Sequence, residues 1–325
     1  MIEEMIDRDA ASVLAAVTEK LRPLEESLGG VIRGKAEVVR LSLVCLLAKG
    51  HLLIEDVPGV GKTTLAQGLA RSVQCGFHRL QFTADMLPSD VLGVTVYNAH
   101  SGEFEFKQGP IFTNFLLADE INRSTPKTQS ALLEAMNELQ VTIDGRSYTL
   151  PHPFMVIATQ NPIEHHGTYP LPESQLDRFL LRLSIGYPDP ASEREIVRRR
   201  DFGVYLPNPV LNADDILQLQ ALAERVTVDD TLVDYMLAVV DRTREHESLA
   251  LGVSPRGAQA LFRATQALAL MEGRDYAIPD DIKRLVVPVF AHRVAINARL
   301  SVTQRSPIAA ARILEEILTQ IDVPL

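Results

Sequence analysis

Between about residues 41 and 185 the chain alternates short apolar runs with helix-period stretches. The runs "HLLIEDV" (51–57), "FLLADE" (115–120), "FMVIAT" (154–159) and "FLLRLSI" (179–185) are continuous rather than alternating, as in strands covered on both faces. With helical segments between them they predict a largely parallel α/β sheet. After "GYPDPAS" (186–192) the texture changes to long helix-period stretches such as "LVDYMLAVVDRTREH" and "GAQALFRATQALALMEG". The Pro-rich stretch is therefore a domain boundary. It separates an α/β domain over 1–187, opened by an N-terminal helix, from a smaller all-helical domain over 188–325. Two hairpin signals interrupt the first domain. "LQVTIDGRSYTLP" carries Asp144-Gly145 between alternating apolar positions, and "VLGVTVYNAHSGEFEFKQG" turns at Ser101-Gly102. The plain reading of both is decoration of the sheet edge.

Composition narrows the function classes. The 325 residues are 46% hydrophobic and 23% charged, ordinary for a globular chain of about two domains. The net charge of −10 removes a whole-protein attraction to nucleic acid or anionic lipid. The acidic N-terminus "MIEEMIDRDA" lacks a secretory leader's pattern and no apolar run is long enough to span a bilayer, so a cytoplasmic protein without membrane insertion is expected. Cys45 and Cys75 are far apart, with no Cys/His cluster around them, and read as core residues. His165 and His166 in "EHHGTYP" could bind a metal, but no third ligand is visible and solvated loop histidines are the better reading.

Candidate chemistry is concentrated in the first domain. "HLLIEDVPGVGKTTLAQGLARSV" reads as strand, Gly-rich turn, helix. Gly59 and Gly61 let backbone N–H groups and a helix N-terminus face an anion, Lys62 reaches the terminal phosphates, and the Thr63 hydroxyl can ligate Mg²⁺. The full phosphate-loop pattern fails at its first position, where Asp56 replaces glycine. Downstream, "FLLADEINR" ends a buried strand with Asp119 and Glu120. Two unpaired carboxylates at such a position cost several kcal/mol, roughly, unless a cation meets them. In a parallel sheet both motifs fall at the carboxyl ends of strands and meet in one crevice. Asp119 can then hold Mg²⁺, directly or through water, and Glu120 can activate a water for attack on the γ-phosphate. The alternative, capping of the following helix, is weakened because Thr125-Pro126 already supplies N-cap and N1 residues. A third strand ends in Gln160-Asn161, and an amide there can reach the γ-phosphate or the water. Arg256, in the first turn after Ser254-Pro255, is disfavoured by the helix dipole unless an anion faces it.

With these motifs in order, the chain resembles an AAA+ ATPase, and within that class the MoxR family. The stretches that carry the likeness are "HLLIEDVPGVGKTTLA", "LLADEINRSTPKTQSALLEAMNE", "VIATQNPIEHHGTYPLPESQLDRF", "VSPRGAQAL" and "IPDDIKRLVVPVFAHR". The resemblance implies an αβα P-loop core with a parallel sheet and an all-helical lid. It implies ATP held by Pro58, Gly59, Val60, Gly61, Lys62, Thr63 and Thr64, with Val31 and Ile32 of "VIRGKAEVV" near the adenine. Mg²⁺ would sit on Thr63 and Asp119. Glu120, sensor 1 at Asn161, an arginine finger at Arg178 and sensor 2 at Arg256 complete the catalytic set, and Arg123 is a further candidate across a subunit interface. The hairpins become a helix-2 insert (about 85–110) and a pre-sensor-1 hairpin (about 140–152). The implied protein is a hexameric ring that hydrolyses ATP to remodel or mature client proteins, together with a von Willebrand factor A (VWA) domain protein. A chelatase-type or nucleic-acid-remodelling motor subunit, and an ATP-gated scaffold with negligible turnover, are the competing readings.

Overall fold

The computed structural model describes residues 10–162, 168–198, 206–297 and 307–324. The paired histidines 165 and 166 lie outside the described residues. Helices α1 (Ala10–Gly29) and α2 (Ala36–Leu47) lead into β1 (Leu52–Glu55), which passes through the glycine loop into α3 (Lys62–Ser72). Next come β2 (Phe77–Gln81), α4 (Pro88–Leu92) and the hairpin β3 (Gly93–Asn98)–β4 (Glu103–Gln108). Strand β5 (Phe115–Asp119), a one-turn 3₁₀ helix (Ile121–Arg123) and α5 (Pro126–Glu138) are followed by the hairpin β6 (Gln140–Ile143)–β7 (Arg146–Thr149). Strand β8 (Met155–Gln160), the short α6 (Glu173–Leu176) and β9 (Leu181–Leu183) end the α/β part.

The five-stranded sheet has the order β2-β5-β8-β1-β9, with every pairing parallel. Three strands read from the sequence form its centre. Continuous burial follows because alternate side chains feed two apolar clusters, one on each face of the sheet. Leu52, Ile54, Phe115, Leu117, Met155 and Ile157 point to the face shared with α1, α2 and α3. Leu53, Leu116, Ala118, Val156 and Ala158 point to the face covered by α5. Edge strand β2 was not legible in "FHRLQ", because its mixed polar pattern and partial exposure match neither strand template.

The second part contains α7 (Pro190–Arg198), α8 (Ala213–Ala223), α9 (Asp230–Glu245), α10 (Pro255–Met271), α11 (Pro279–Phe290) and α12 (Pro307–Thr319). Among the described residues it departs from a purely helical texture in a short antiparallel pairing of β10 (Leu249–Leu251) with β11 (Ala295–Ile296) and in a parallel bridge between Thr227 and Tyr276. The Ser254 hydroxyl caps α10 by accepting from Gly257 N–H at 3.1 Å, as its sequence position predicts. Thr125, by contrast, occupies the N-cap of α5 without a side-chain cap hydrogen bond. Cys45 is buried and its thiol is pushed up by that burial, so it behaves as a small core residue. Cys75 is half-buried.

Candidate functional site

The glycine loop leaves the end of β1 beside the end of β8, with Asp56 N–H donating to Gln160 O at 3.2 Å. Gly59 and Gly61 have φ of 85° and 99°, left-handed values that a side chain would strain. Gly61 is the N-cap of α3, so the open N–H groups of the first turn face the loop's concavity. Ile32 is buried against this turn: a Cβ added at Gly61 would lie 3.5 Å from its Cδ1. Val31 is buried close by, near Gly68 of α3. Lys62 Nζ donates to Asp56 O at 2.6 Å, folding over the loop, and lies 3.5 Å from Gln160 O.

Asp56, the departure from the phosphate-loop pattern, is 7% exposed and held in a web of hydrogen bonds. Its Oδ2 accepts from Gly186 N–H at 2.6 Å and from the Ser184 hydroxyl at 3.0 Å, and its Oδ1 from Val57 N–H at 2.9 Å. The residue therefore pins the root of the loop to the segment entering the helical part.

Across the crevice, Asp119 ends β5 next to β8. Thr159, fully buried, donates its hydroxyl to Asp119 Oδ1 at 2.6 Å and accepts from Glu120 N–H at 2.9 Å. Glu120 has φ 55°, ψ 49°, a left-handed conformation that costs about 1–3 kcal/mol for a non-glycine residue and recurs at functional sites. Cations and an amide meet the two carboxylates. Arg79 Nη2 and Nε lie 2.6 and 3.1 Å from Asp119 Oδ2. Gln81 Nε2 donates to Glu120 Oε2 at 2.7 Å, and Arg123 Nε pairs with the same oxygen at 3.0 Å.

One open pocket of about 350 Å³ gathers Pro58, Gly59, Gly61, Lys62, Thr63 and Thr64 with Asp119, Glu120, Asn161, Arg79 and Gln81. Val60, partly buried against the main core, does not line it, nor do Val31 and Ile32 beneath the loop. Asn161 is 6% exposed at the end of β8. Thr159, Arg79 and Gln81 escaped the sequence reading. The i, i+2 spacing of Arg79 and Gln81 places them on one strand face, but only the register of β2 on β5, with Gln81 opposite Asp119, brings them to the carboxylates. A divalent cation suits this donor set: a carboxylate and a hydroxyl are hard oxygen ligands, and a guanidinium already stands where positive charge is wanted.

Arg178 and Arg256 are outside this pocket. Arg178 Nη1 donates to Leu133 O on α5 at 2.6 Å. Its pKa is lowered by burial first and then by the positive charge of Arg256. Neighbouring Asp177 is engaged elsewhere, accepting from Arg293 Nε at 2.8 Å and the Ser254 hydroxyl at 2.9 Å. Among the described residues no group of three or more His, Cys, Asp or Glu side chains could hold a metal, and no helix is long and apolar enough to cross a membrane.

A glycine-rich loop at a helix N-terminus, facing an acidic pair at the carboxyl edge of a parallel sheet with helices beyond it, defines a P-loop nucleoside triphosphatase architecture. Comparison with known proteins agrees. The profile of the "ATPase family associated with various cellular activities (AAA)" matches residues 51–181, and that of the "AAA lid domain" matches residues 241–317. "Chaperone MoxR1" of Mycobacterium tuberculosis is 43% identical over 94% of this chain and 84% of its own length. "Protein MoxR" of Paracoccus denitrificans is 31% identical over 86% and 89%, and the uncharacterised YeaC of Bacillus subtilis 48% over 95% and 98%. A crystal structure from Cytophaga hutchinsonii, described as that of a candidate ATPase, superposes with a TM-score of 0.87 at 37% identity, covering 96% of this chain and 97% of that one. The chain belongs to the MoxR family of AAA+ ATPases.

Proposed function

We propose that this protein hydrolyses ATP in the pocket between the glycine loop and β5, and uses the cycle in an oligomeric ring to remodel or mature client proteins with a VWA-domain partner. The observation that carries the chemistry is the convergence of Gly59, Gly61, Lys62, Thr63 and Thr64 with Asp119, Glu120 and Asn161 on one pocket. Loop N–H groups and Lys62 bind the phosphates. Thr63 and Asp119 would hold Mg²⁺, which supplies charge neutralisation on the β- and γ-phosphates. Glu120 takes the proton of the attacking water, after leaving Gln81 and Arg123, and Asn161 orients that water or the γ-phosphate. Val31 and Ile32 flank the loop on the side assigned to the base.

Two further roles belong to the assembled ring. Arg178 and Arg256 repel one another and lie away from their own subunit's pocket, so an anion presented between subunits would relieve the repulsion. We assign Arg178 as the finger acting on a neighbour and Arg256 as the lid's phosphate sensor. The working division is an ATPase domain over 1–187 and a lid over 188–325, with the β3–β4 and β6–β7 hairpins as client-facing elements. A cytoplasmic location and dependence on a partner are part of this proposal and are supported by the family likeness rather than by any one contact.

The test is phosphate release by purified protein and its Glu120→Gln variant. The variant is expected to keep ATP affinity within a few-fold and to lose turnover by roughly a hundredfold or more, since only water activation is removed. Full turnover by the variant would strip Glu120 of the role of base. Lys62→Ala is expected instead to weaken nucleotide binding itself.

A further inference from the structure

Asp119 is already in contact with a cation. Arg79 donates through Nη2 and Nε, at 2.6 and 3.1 Å, to one carboxylate oxygen, while Thr159 takes the other at 2.6 Å. The sheet register explains the reach. Arg79 pairs with Leu117 and Gln81 with Asp119, so Arg79 starts two residues back on the edge strand, and its long side chain runs toward the strand end on the same face. Both Arg79 and Asp119 line the pocket that contains Lys62 and Thr63. The Asp119 side chain is only 13% exposed, against 49% for Arg79. The carboxylate is thus fixed and partly shielded from water, whereas the guanidinium can swing out.

A guanidinium and a divalent cation on one shielded carboxylate repel each other strongly, because neither charge is fully screened. We infer that Arg79 is a tethered counter-ion for Asp119 in the nucleotide-free protein, and that a divalent cation loads only by displacing it. This rests on the reading of the pocket as a Mg²⁺–nucleotide site. Arg79 acts through Asp119 and is a positioning residue. It satisfies a partly shielded negative charge when no nucleotide is present, and it makes metal binding without nucleotide weak. Nucleotide phosphates offer the displaced guanidinium another anion in the same pocket, to which its planar fork is suited, so nucleotide and metal load together.

The experiment is titration of Mn²⁺ alone into the nucleotide-free full chain, with free Mn²⁺ followed by electron paramagnetic resonance. Arg79→Gln is expected to bind Mn²⁺ roughly tenfold more tightly than wild type, and Arg79→Lys, which keeps the charge, to stay near wild type. Adding Asp119→Asn to the Gln variant is expected to abolish the gain. Equal Mn²⁺ affinities for wild type and Arg79→Gln overturn the inference, as does an Arg79→Lys variant that binds as tightly as the Gln variant. A fluorescent ADP analogue, titrated with EDTA and with Mg²⁺, separates this failure from a broader one. Wild type that binds the analogue while the Mn²⁺ affinities stay equal loses only the counter-ion role. Wild type that binds it under neither condition loses the nucleotide reading and this inference with it.

Discussion

Asp56 stands where the general phosphate loop opens with glycine, and its carboxylate accepts from Val57, Ser184 and Gly186. Substituting the consensus glycine would leave two main-chain N–H groups and a hydroxyl without their acceptor in a mostly buried setting. Asp56→Gly is therefore expected to lower stability in urea unfolding by about 2–4 kcal/mol and to weaken nucleotide binding. Unchanged stability would mean that the carboxylate only fills space. His51 is a second residue committed to structure. Its Nε2–H donates to Met136 O at 3.1 Å and its Nδ1 accepts from Val156 N–H at 3.0 Å, so the ring is neutral. Burial pushes its pKa down to about 4 from 6.5. Because the unfolded chain takes up a proton near pH 6.5 and the folded chain does not until about 4, stability is present above that range and lost as pH falls through it. The expected loss from this group between pH 7 and pH 5 is about 2 kcal/mol. Comparing wild type with His51→Gln across that interval checks it: if the pH slope is the same in both, His51 is not responsible.

At the scale of elements, an aromatic contact joins the two hairpins. Phe106 of β4 stacks on Tyr148 of β7 at 4.2 Å between ring centroids and meets Phe112 edge-on at 5.7 Å. Farther out on the same face of β3–β4, Tyr97 and Phe104 pair at 5.3 Å but stay 56% and 70% exposed. The turns were legible: Asp144 and Gly145, with φ of 50° and 75°, adopt the left-handed pair that the Asp-Gly signal predicts. The contact between hairpins was not, since about forty residues of sheet and helix separate Phe106 from Tyr148. Stacked aromatic pairs contribute about 0.5–1.5 kcal/mol beyond their burial. A Phe106→Leu, Tyr148→Leu double-mutant cycle, read by hydrogen exchange of the β3–β4 amides, is expected to show coupling of that size. Strict additivity would mean that the hairpins move independently.

At the scale of the whole molecule, Arg178 and Arg256, which do not line the glycine-loop pocket, are the residues through which the proposed assembly can be tested. If Arg178 acts on a neighbour, Arg178→Ala binds ATP but hydrolyses it poorly, and Lys62→Ala is dead in its own site yet still carries the finger. Mixed rings then contain interfaces that pair a sound loop with a sound arginine. Their activity is expected to exceed the sum of the two variants alone, since such fingers contribute roughly a thousandfold or more in rate. Activity equal to that sum, with subunit exchange shown independently, would remove the trans role from Arg178. An ordinary ion pair with Asp177 is already disfavoured, because that carboxylate is occupied by Arg293 and Ser254.

By itself the sequence determined what local chemistry can determine. Continuous apolar runs gave the central strands, because a strand buried on both faces needs no polar alternation. Gly59, Gly61, Lys62 and the Asp119–Glu120 pair marked a candidate phosphate site, because few residue types can curl a loop around an anion or hold a metal, and the structure brings them to one pocket. Tertiary structure alone decided what lies opposite what. Edge strand β2 was hidden by its polar residues, and with it Arg79 and Gln81, which reach the carboxylates only through the register of β2 on β5. Thr159 hid within an apolar strand until β8 settled beside β5. Asp56 looked like a defect in the loop until Gly186, 130 residues away, was brought to its carboxylate. Motifs are written along the chain; counter-ions and hydrogen-bond partners are chosen across it, where spacing in sequence carries no information about distance.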